Sequence, residues 1–355
     1  MALQSSGAIS LDDMHQEAGG SANSNCTIND ADIRALIDKS SGAEMAFDDF
    51  YGASASLAGD IMLIGYGAVN SGEDVGFITI TSTGNTTDFG GLIGNIHLKC
   101  GAGSNSTRAL IFGGNTNDPF VALKDQVQFL TIDTVGDGTD FGDLSEGIQN
   151  PRAVAYATRV LRGGGDGGSG EVNTIEFFTV ASAGNATDHG DLTTTTSSHG
   201  GNINSTTRGI FYGGARGGTS KTNIIDFITM NSTGNATDFG DINTTVKVCC
   251  GYSSSTRGVI NHGTDSGTFS NTMTFITIAS TGNSQDFGDL SIGRRNAQAS
   301  GNATRGVCAG GQASNNNKVT MDFITYASTG NSTDFGDIAQ DTEETWAASN
   351  SHGGL

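Results

Sequence analysis

Two aromatic residues 12 positions apart return six times along this chain: Phe77 with Phe89, Phe129 with Phe141, Phe177 with His189, Phe227 with Phe239, Phe275 with Phe287, and Phe323 with Phe335. The second member of each pair follows the previous one by 52, 48, 50, 48 and 48 residues. A unit this small cannot bury an apolar face alone, so a period of this length belongs to architectures in which copies pack on one another. The repeat sets the fold before any single motif is weighed.

The fourth copy is the fullest, with an alternating run at Phe227-Ile228-Thr229-Met230, then Ser232-Thr233-Gly234-Asn235, then Thr237-Asp238-Phe239-Gly240-Asp241. A second constant segment precedes each pair, as in Thr107-Arg108-Ala109-Leu110-Ile111-Phe112-Gly113-Gly114 and Thr207-Arg208-Gly209-Ile210-Phe211-Tyr212-Gly213-Gly214. Short apolar runs ended by glycine read as buried strands. The Gly-Asn step reads as a hairpin turn whose two residues accept positive φ. With one further strand, such as Val246-Lys247-Val248-Cys249-Cys250-Gly251-Tyr252, each unit holds four antiparallel strands, the content of a propeller blade. The 54 glycines against 2 prolines fit many turns. Ile61–Gly65 aligns with the second strand of a unit, its Gly65 level with Gly113, and has no first strand before it. Residues 345–353 fall where other copies have a first strand, so the two ends are expected to pair and close six blades.

The order of a glycine pair, an aromatic strand, a Gly-Asn turn and a further aromatic resembles the kelch repeat. That last aromatic is usually Trp in kelch repeats; here it is Phe in five copies and His189 in the third. The resemblance covers residues 60–355. It implies a mainly β fold, a six-bladed β-propeller whose variable loops share one binding face, and it carries no enzymatic implication.

Residues 1–59 lack the repeat and read as a small helical module. Ser10 caps a helix over Leu11–Glu17, ended by Gly19 and Gly20, and Asn29 caps a second with Ile33, Leu36 and Ile37 on one face. Phe47-Asp48-Asp49-Phe50-Tyr51-Gly52 suggests a third turn. The Ser6-Gly7-Ala8-Ile9-Ser10 start, the Asp30-Ala31-Asp32-Ile33-Arg34 centre and the Phe47–Gly52 end resemble the N-terminal module of structural proteins from tailed bacteriophages, marine ones included. That likeness implies attachment to a virion, with Ile33, Arg34, Phe47, Phe50 and Tyr51 as the contact residues. A module with so little core is expected to pack on a partner.

A net charge of −20 argues against a phosphate-binding surface, so nucleic acid is not an expected partner. Five cysteines without CxxC spacing indicate neither a disulfide framework nor a zinc site, and fit synthesis in a reducing cytoplasm. No basic-plus-apolar leader and no apolar run of about 18 residues occur, so neither a signal peptide nor a membrane span is expected. No cofactor or metal is implied. Asp-Phe-Gly recurs without a catalytic loop, Gly163, Gly165 and Gly168 precede no helix, and Asp133, Asp137 and Asp140 lack calcium-loop spacing. The six histidines show no metal-ligand spacing.

The connection after the second strand varies in length and is longest in the second copy. Loops of variable length on a fixed scaffold are where binding resides. The expected ligand contacts are Asn115, Asn117, Asp118 and Phe120 in that longest loop, then Asp166, Arg216 and Lys221. Arg108, Arg159, Arg208, Arg257 and Arg305 recur once per copy, with Gly353 in the sixth place. They are expected to tie neighbouring blades by pairing with aspartates such as Asp88, Asp140, Asp188, Asp238 and Asp286, the alternative being a ring that binds an anion in the channel. The leading expectation is a non-enzymatic virion protein, tail-associated or fibre-like and present in multiple copies, that binds other virion proteins through residues 1–59. Its propeller faces a host-surface glycan or protein. The alternatives are a kelch-type intracellular scaffold and a glycan-active propeller enzyme.

Overall fold

The computed structural model describes the chain except residues 1–2, 4–8, 20, 23–24, 38, 51–56, 68–73, 95–97, 116–121, 199, 219, 266–267, 315, 343 and 345. Among the described residues the fold is mainly β and antiparallel, with helix confined to residues 11–50. Each copy of the repeat lies in its own sheet. In the second sheet the strands are Gly101–Ser104, Arg108–Phe112, Gln126–Thr131 and Thr139–Asp143, hydrogen-bonded in that order. The first strand is buried throughout, and after Arg108 so is the second, as small and apolar runs require. The fourth buries only Phe141 and exposes Thr139 and Asp140.

The first sheet is assembled from both ends of the sequence: Ile61–Gly65, Asp74–Thr79 and Thr87–Gly91, with Trp346–Ser349 paired antiparallel to Ile61–Gly65. Met62 faces Ser349 and Gly65 faces Trp346. Trp346 lies where a Cβ on Gly65 would be, so the pair is fitted large to small. In the second and fourth sheets the same fit is reversed, with Phe112 over Gly101 and Tyr212 over Gly200. The first strands Gly101–Ser104, Arg152–Tyr156, Gly200–Asn204, Cys250–Ser253, Gln298–Gly301 and Trp346–Ser349 each contact the next, and the last contacts the first.

The aromatic anchors meet edge to face in every sheet. Phe227 and Phe239 have centroids 6.2 Å apart at 78°, and Phe177 with His189 keeps the geometry at 6.2 Å and 83°. The turn after the first anchor differs from the expected tight hairpin. Asn235 is not in the left-handed region; its Oδ1 accepts from the Asp191 N–H of the preceding sheet at 3.1 Å. Gly234 N donates to His189 O at 2.7 Å and Ala236 N to Asp191 O at 2.7 Å. The same clasp joins Gly136 to Phe89, Gly184 to Phe141, Gly282 to Phe239, Gly330 to Phe287 and Gly84 to Phe335. The glycine of Asp-Phe-Gly is required by this contact: Gly240 has φ 143°, and a Cβ there would sit 2.6 Å from Gly282 O.

The repeated arginines do tie neighbouring sheets, but not through aspartate. Arg108 Nη1 donates to Val180 O at 3.0 Å, Arg208 Nη1 to Ile278 O at 2.9 Å, Arg257 Nη1 to Tyr326 O, and Arg305 Nη1 to Thr81 O at 3.0 Å. Each guanidinium also stacks on the first anchor of its own sheet, as Arg208 does over Phe227 at 4.5 Å. Arg159 stacks on Phe177 at 4.1 Å, but its Nη1 lacks a hydrogen-bond partner. Four of the five guanidiniums are thus spent on carbonyls of the next sheet, an arrangement that joins sheets rather than presenting a ring of free cations. The sixth place belongs to Ile61, which faces Thr79 as Arg108 faces Thr131. Gly65 is accordingly level with Phe112 rather than Gly113.

Residues 352–354 lie instead among the ends of the first strands. A Cβ on Gly353 would overlap Ser254 O, and one on Gly354 would overlap Ala155 O. His352 Nδ1 accepts from Gly354 N at 3.1 Å, which fixes the proton on Nε2 for donation to Ser104 O at 2.6 Å. Asn202, at φ 61°, bulges from the fourth sheet and donates to Ala299 O at 3.0 Å and Ala347 O at 3.4 Å.

The N-terminal segment has a core of its own: Leu3, Met14, Ile33, Leu36 and Phe50. Helix α1, Leu11–Glu17, starts at a capping box in which Asp13 N donates to Ser10 Oγ at 3.1 Å and Ser10 N to Asp13 Oδ2 at 2.7 Å. Helix α2, Ala31–Ala35, has Asp30 rather than Asn29 at its N-cap position, with no side-chain cap bond; the Asp30 carboxylate instead accepts from Thr27 N at 2.9 Å. Asn29 Oδ1 instead receives Arg34 Nη1 at 2.8 Å. Of the expected contact residues, Ile33 and Phe50 are consumed by this core, Phe47 is 51% exposed, and Tyr51 lies outside the described residues.

Candidate functional site at the loop end of the sheets

Strands alternate in direction, so the clasp turns and the first-to-second turns leave one end of the sheets. The second-to-third loops and the connections between sheets leave the other. At that second end, among the described residues, the connections into the second to sixth sheets pair with the loop of the sheet they enter: Leu98 with Asn115, Gln149 with Asp166, Ser197 with Ala215, Lys247 with Thr264, and Arg295 with Gln312.

Two residues before every first strand stands a non-glycine residue with positive φ: Lys99 (60°), Asn150 (53°), Ser198 (51°), Val248 (52°), Asn296 (54°) and Glu344 (60°). Their backbones bond in series, with Asn150 N to Lys99 O at 2.8 Å, Val248 N to Ser198 O at 2.7 Å, Asn296 N to Val248 O at 3.4 Å and Glu344 N to Asn296 O at 3.1 Å. A left-handed backbone costs an L-residue roughly 1–2 kcal/mol, and a β-branched Val248 is the least suited of the six. Strain repeated at one position and held by packing marks a site where backbone geometry is imposed.

Beside this collar is a cavity of about 470 Å³. Its lining includes Lys99, Gln149, Asn150, Asp166, Glu171, Ser198, Lys247, Val248 and Arg295. Gln149 links several of these groups: its Oε1 accepts Asn115 Nδ2 at 2.6 Å and Lys99 Nζ at 3.5 Å, while its Nε2 donates to Asp166 Oδ2 at 3.0 Å. Glu171 receives Gly217 N at 2.7 Å and Gly218 N at 2.9 Å, so it holds a loop in place.

The residues expected from sequence are thereby sorted. Asp166 lines the cavity. Asn115 is 3% exposed, bridges Leu98 and Leu123, and braces Gln149 rather than facing a ligand. Arg216 is exposed and donates to the Thr194 hydroxyl; Lys221 is half-buried opposite Ala215. Asn117, Asp118 and Phe120 lie outside the described residues. Lys99, Asn150, Ser198, Lys247 and Arg295 were missed because attention went to loops that change in length. For Lys99, Asn150 and Ser198 the signal present was a fixed position whose residue type changes from copy to copy (Lys, Asn, Ser, Val, Asn and Glu), and Lys247 and Arg295 stand one residue before it. No family model matches this sequence, and no curated protein is significantly similar to it.

Proposed function

We propose that residues 60–355 form a six-bladed β-propeller closed by the Trp346–Ser349 strand, and that the chain is a non-enzymatic structural protein of a tailed-bacteriophage virion. Residues 1–59 attach it to other virion proteins, and the loop end of the propeller, displayed in multiple copies, recognises a host-surface glycan or protein. Support for the ring comes from contacts between first strands that return to their start and from the clasp joining Gly84 to Phe335. Support for attachment comes from the resemblance of the N-terminal module and from a separate small core that leaves Phe47 outside it.

The observation that carries the recognition reading is the contrast between the two ends of the sheets. One end repeats the same backbone clasp in each sheet, whereas the other holds residue types that differ at a fixed position around a polar cavity. Uniformity serves the scaffold, and variation at a held backbone serves binding. Antibody raised against residues 60–355 is expected to label purified virions in electron microscopy. Label found only in infected-cell cytosol rules out the virion role.

A further inference from the structure

We infer that the cavity beside the collar binds an acidic sugar, its carboxylate held among Lys99, Lys247 and Arg295. This rests on the reading of the loop end as the recognition face. In a chain with 17 basic and 37 acidic residues, three basic side chains line this one cavity. None of the three pairs with a carboxylate among the described residues. Among the described residues Lys99 Nζ has the long contact to Gln149, and Arg295 donates through Nε and Nη2 to the neutral Gln312 Oε1 at 3.0 and 2.6 Å. The guanidinium is further held 5.3 Å over the Phe269 ring, which fixes its plane.

The two carboxylates in the same lining are already engaged by neutral donors, Asp166 by Gln149 and Glu171 by two backbone N–H groups. Both keep their charge but form no ion pair with the cations, so three cations against two carboxylates leave the lining with a net charge of +1. Charge left over in this way is complemented by an anionic ligand, and charge-assisted hydrogen bonds to it are the strong ones. The cavity volume lies within the range of small-ligand sites. Gln149, Asn150, Ser197 and Ser198 supply amides and hydroxyls suited to sugar hydroxyl groups. Apolar side chains in the lining are limited to Val248 and Ala215, which disfavours a peptide anchored by aromatic or aliphatic groups. A long polyanion is repelled by the −20 charge of the whole chain.

The test uses the full chain and titration calorimetry with glucuronic acid and sialyllactose, against glucose and lactose as neutral counterparts, and an oligoglutamate peptide. Acidic sugars are expected to bind, more weakly as salt rises, and neutral sugars not to bind. Lys247→Gln and Lys99→Asn are each expected to weaken binding by ~10-fold or more, about 1.4 kcal/mol. Lys39→Gln, in the N-terminal segment, is expected to leave it unchanged, and melting temperatures of all variants confirm folding. Equal binding of acidic and neutral sugars, or binding of the peptide alone, overturns the inference. So does absence of acidic-sugar binding at millimolar concentration while the protein still adsorbs to host cells, a result that leaves the recognition face standing. Failure of both sugar binding and cell adsorption overturns that wider reading as well.

Discussion

His189 is where a single residue departs from the repeat at a measurable cost. It takes the place of phenylalanine at 2% exposure, and neither ring nitrogen has a hydrogen-bond partner. An unsatisfied buried polar group costs about 1–3 kcal/mol. His189→Phe restores the edge-to-face pair found in the other sheets and is expected to stabilise the protein by about 1–2 kcal/mol, read as a raised midpoint in urea. Burial, with the nearby Arg159 charge adding to it, lowers the His189 pKa. Burial also lowers His262 and His352 to about 4, against smaller opposing contributions from Asp265 and the Ser104 carbonyl. A histidine whose folded pKa lies below its unfolded value of roughly 6.5 gives its full stability above that value and loses it as pH falls toward the folded pKa. Between pH 7.5 and 5 the loss is expected to be roughly 2 kcal/mol each for His262 and His352. Asp226, raised by burial, acts in the opposite sense at lower pH, nearer the carboxylate range. A urea midpoint that does not fall between pH 7.5 and 5 would contradict this assignment.

At the scale of the strand and turn, the arginine and the clasp do the joining. Arg208→Ala removes a bond to the next sheet and a stacking contact, and is expected to cost about 2 kcal/mol in thermal unfolding while leaving sugar binding at the opposite end unchanged. Loss of binding without loss of stability would return the arginines to a ligand-contacting role. The presence of these parts was legible in the sequence, because the 12-residue spacing places two rings on facing strands and the steps between copies fix where each sheet begins. Their partners were not. Arg208 bonds a backbone carbonyl, which has no sequence signature, and the aspartates nearby offered a false one. Gly234-Asn235 carries the chemistry of a tight turn, yet the asparagine is used between sheets, a tertiary contact that local propensity cannot report. The residue before each first anchor was hidden for another reason. Gln128, Glu176, Asp226, Thr274 and Asp322 are all buried there, but their partners are of four kinds: the Ile93 backbone for Gln128, an arginine for Glu176 and Asp322 (Arg162 and Arg294), Thr193 for Asp226, and His262 for Thr274. A position solved four ways shows no common residue to read.

For the whole molecule, stability is tied to one strand. Trp346–Ser349 covers an edge of Ile61–Gly65, and Ser349 N also donates to the Ser104 hydroxyl at 3.1 Å, linking the first sheet to the second. Beyond it, residues 352–354 reach toward first strands of the second through fifth sheets. Removing residues 346–355 therefore exposes a fully buried apolar strand with unpaired N–H and C=O groups, the condition that favours edge-to-edge association. The truncated chain is expected to elute as oligomers or aggregates and to unfold at a lower temperature. A synthetic peptide of residues 343–355 added in trans is expected to restore the elution volume of the full chain, because the groove it would fill is shaped by Gly65 for the indole of Trp346. The same peptide carrying Trp346→Ala should restore it poorly, since truncating a buried tryptophan costs about 3–5 kcal/mol. A truncated chain that keeps the elution behaviour of the full chain with an unchanged melting temperature would mean the remaining strands hold together without the closing one, and would remove the basis for the ring.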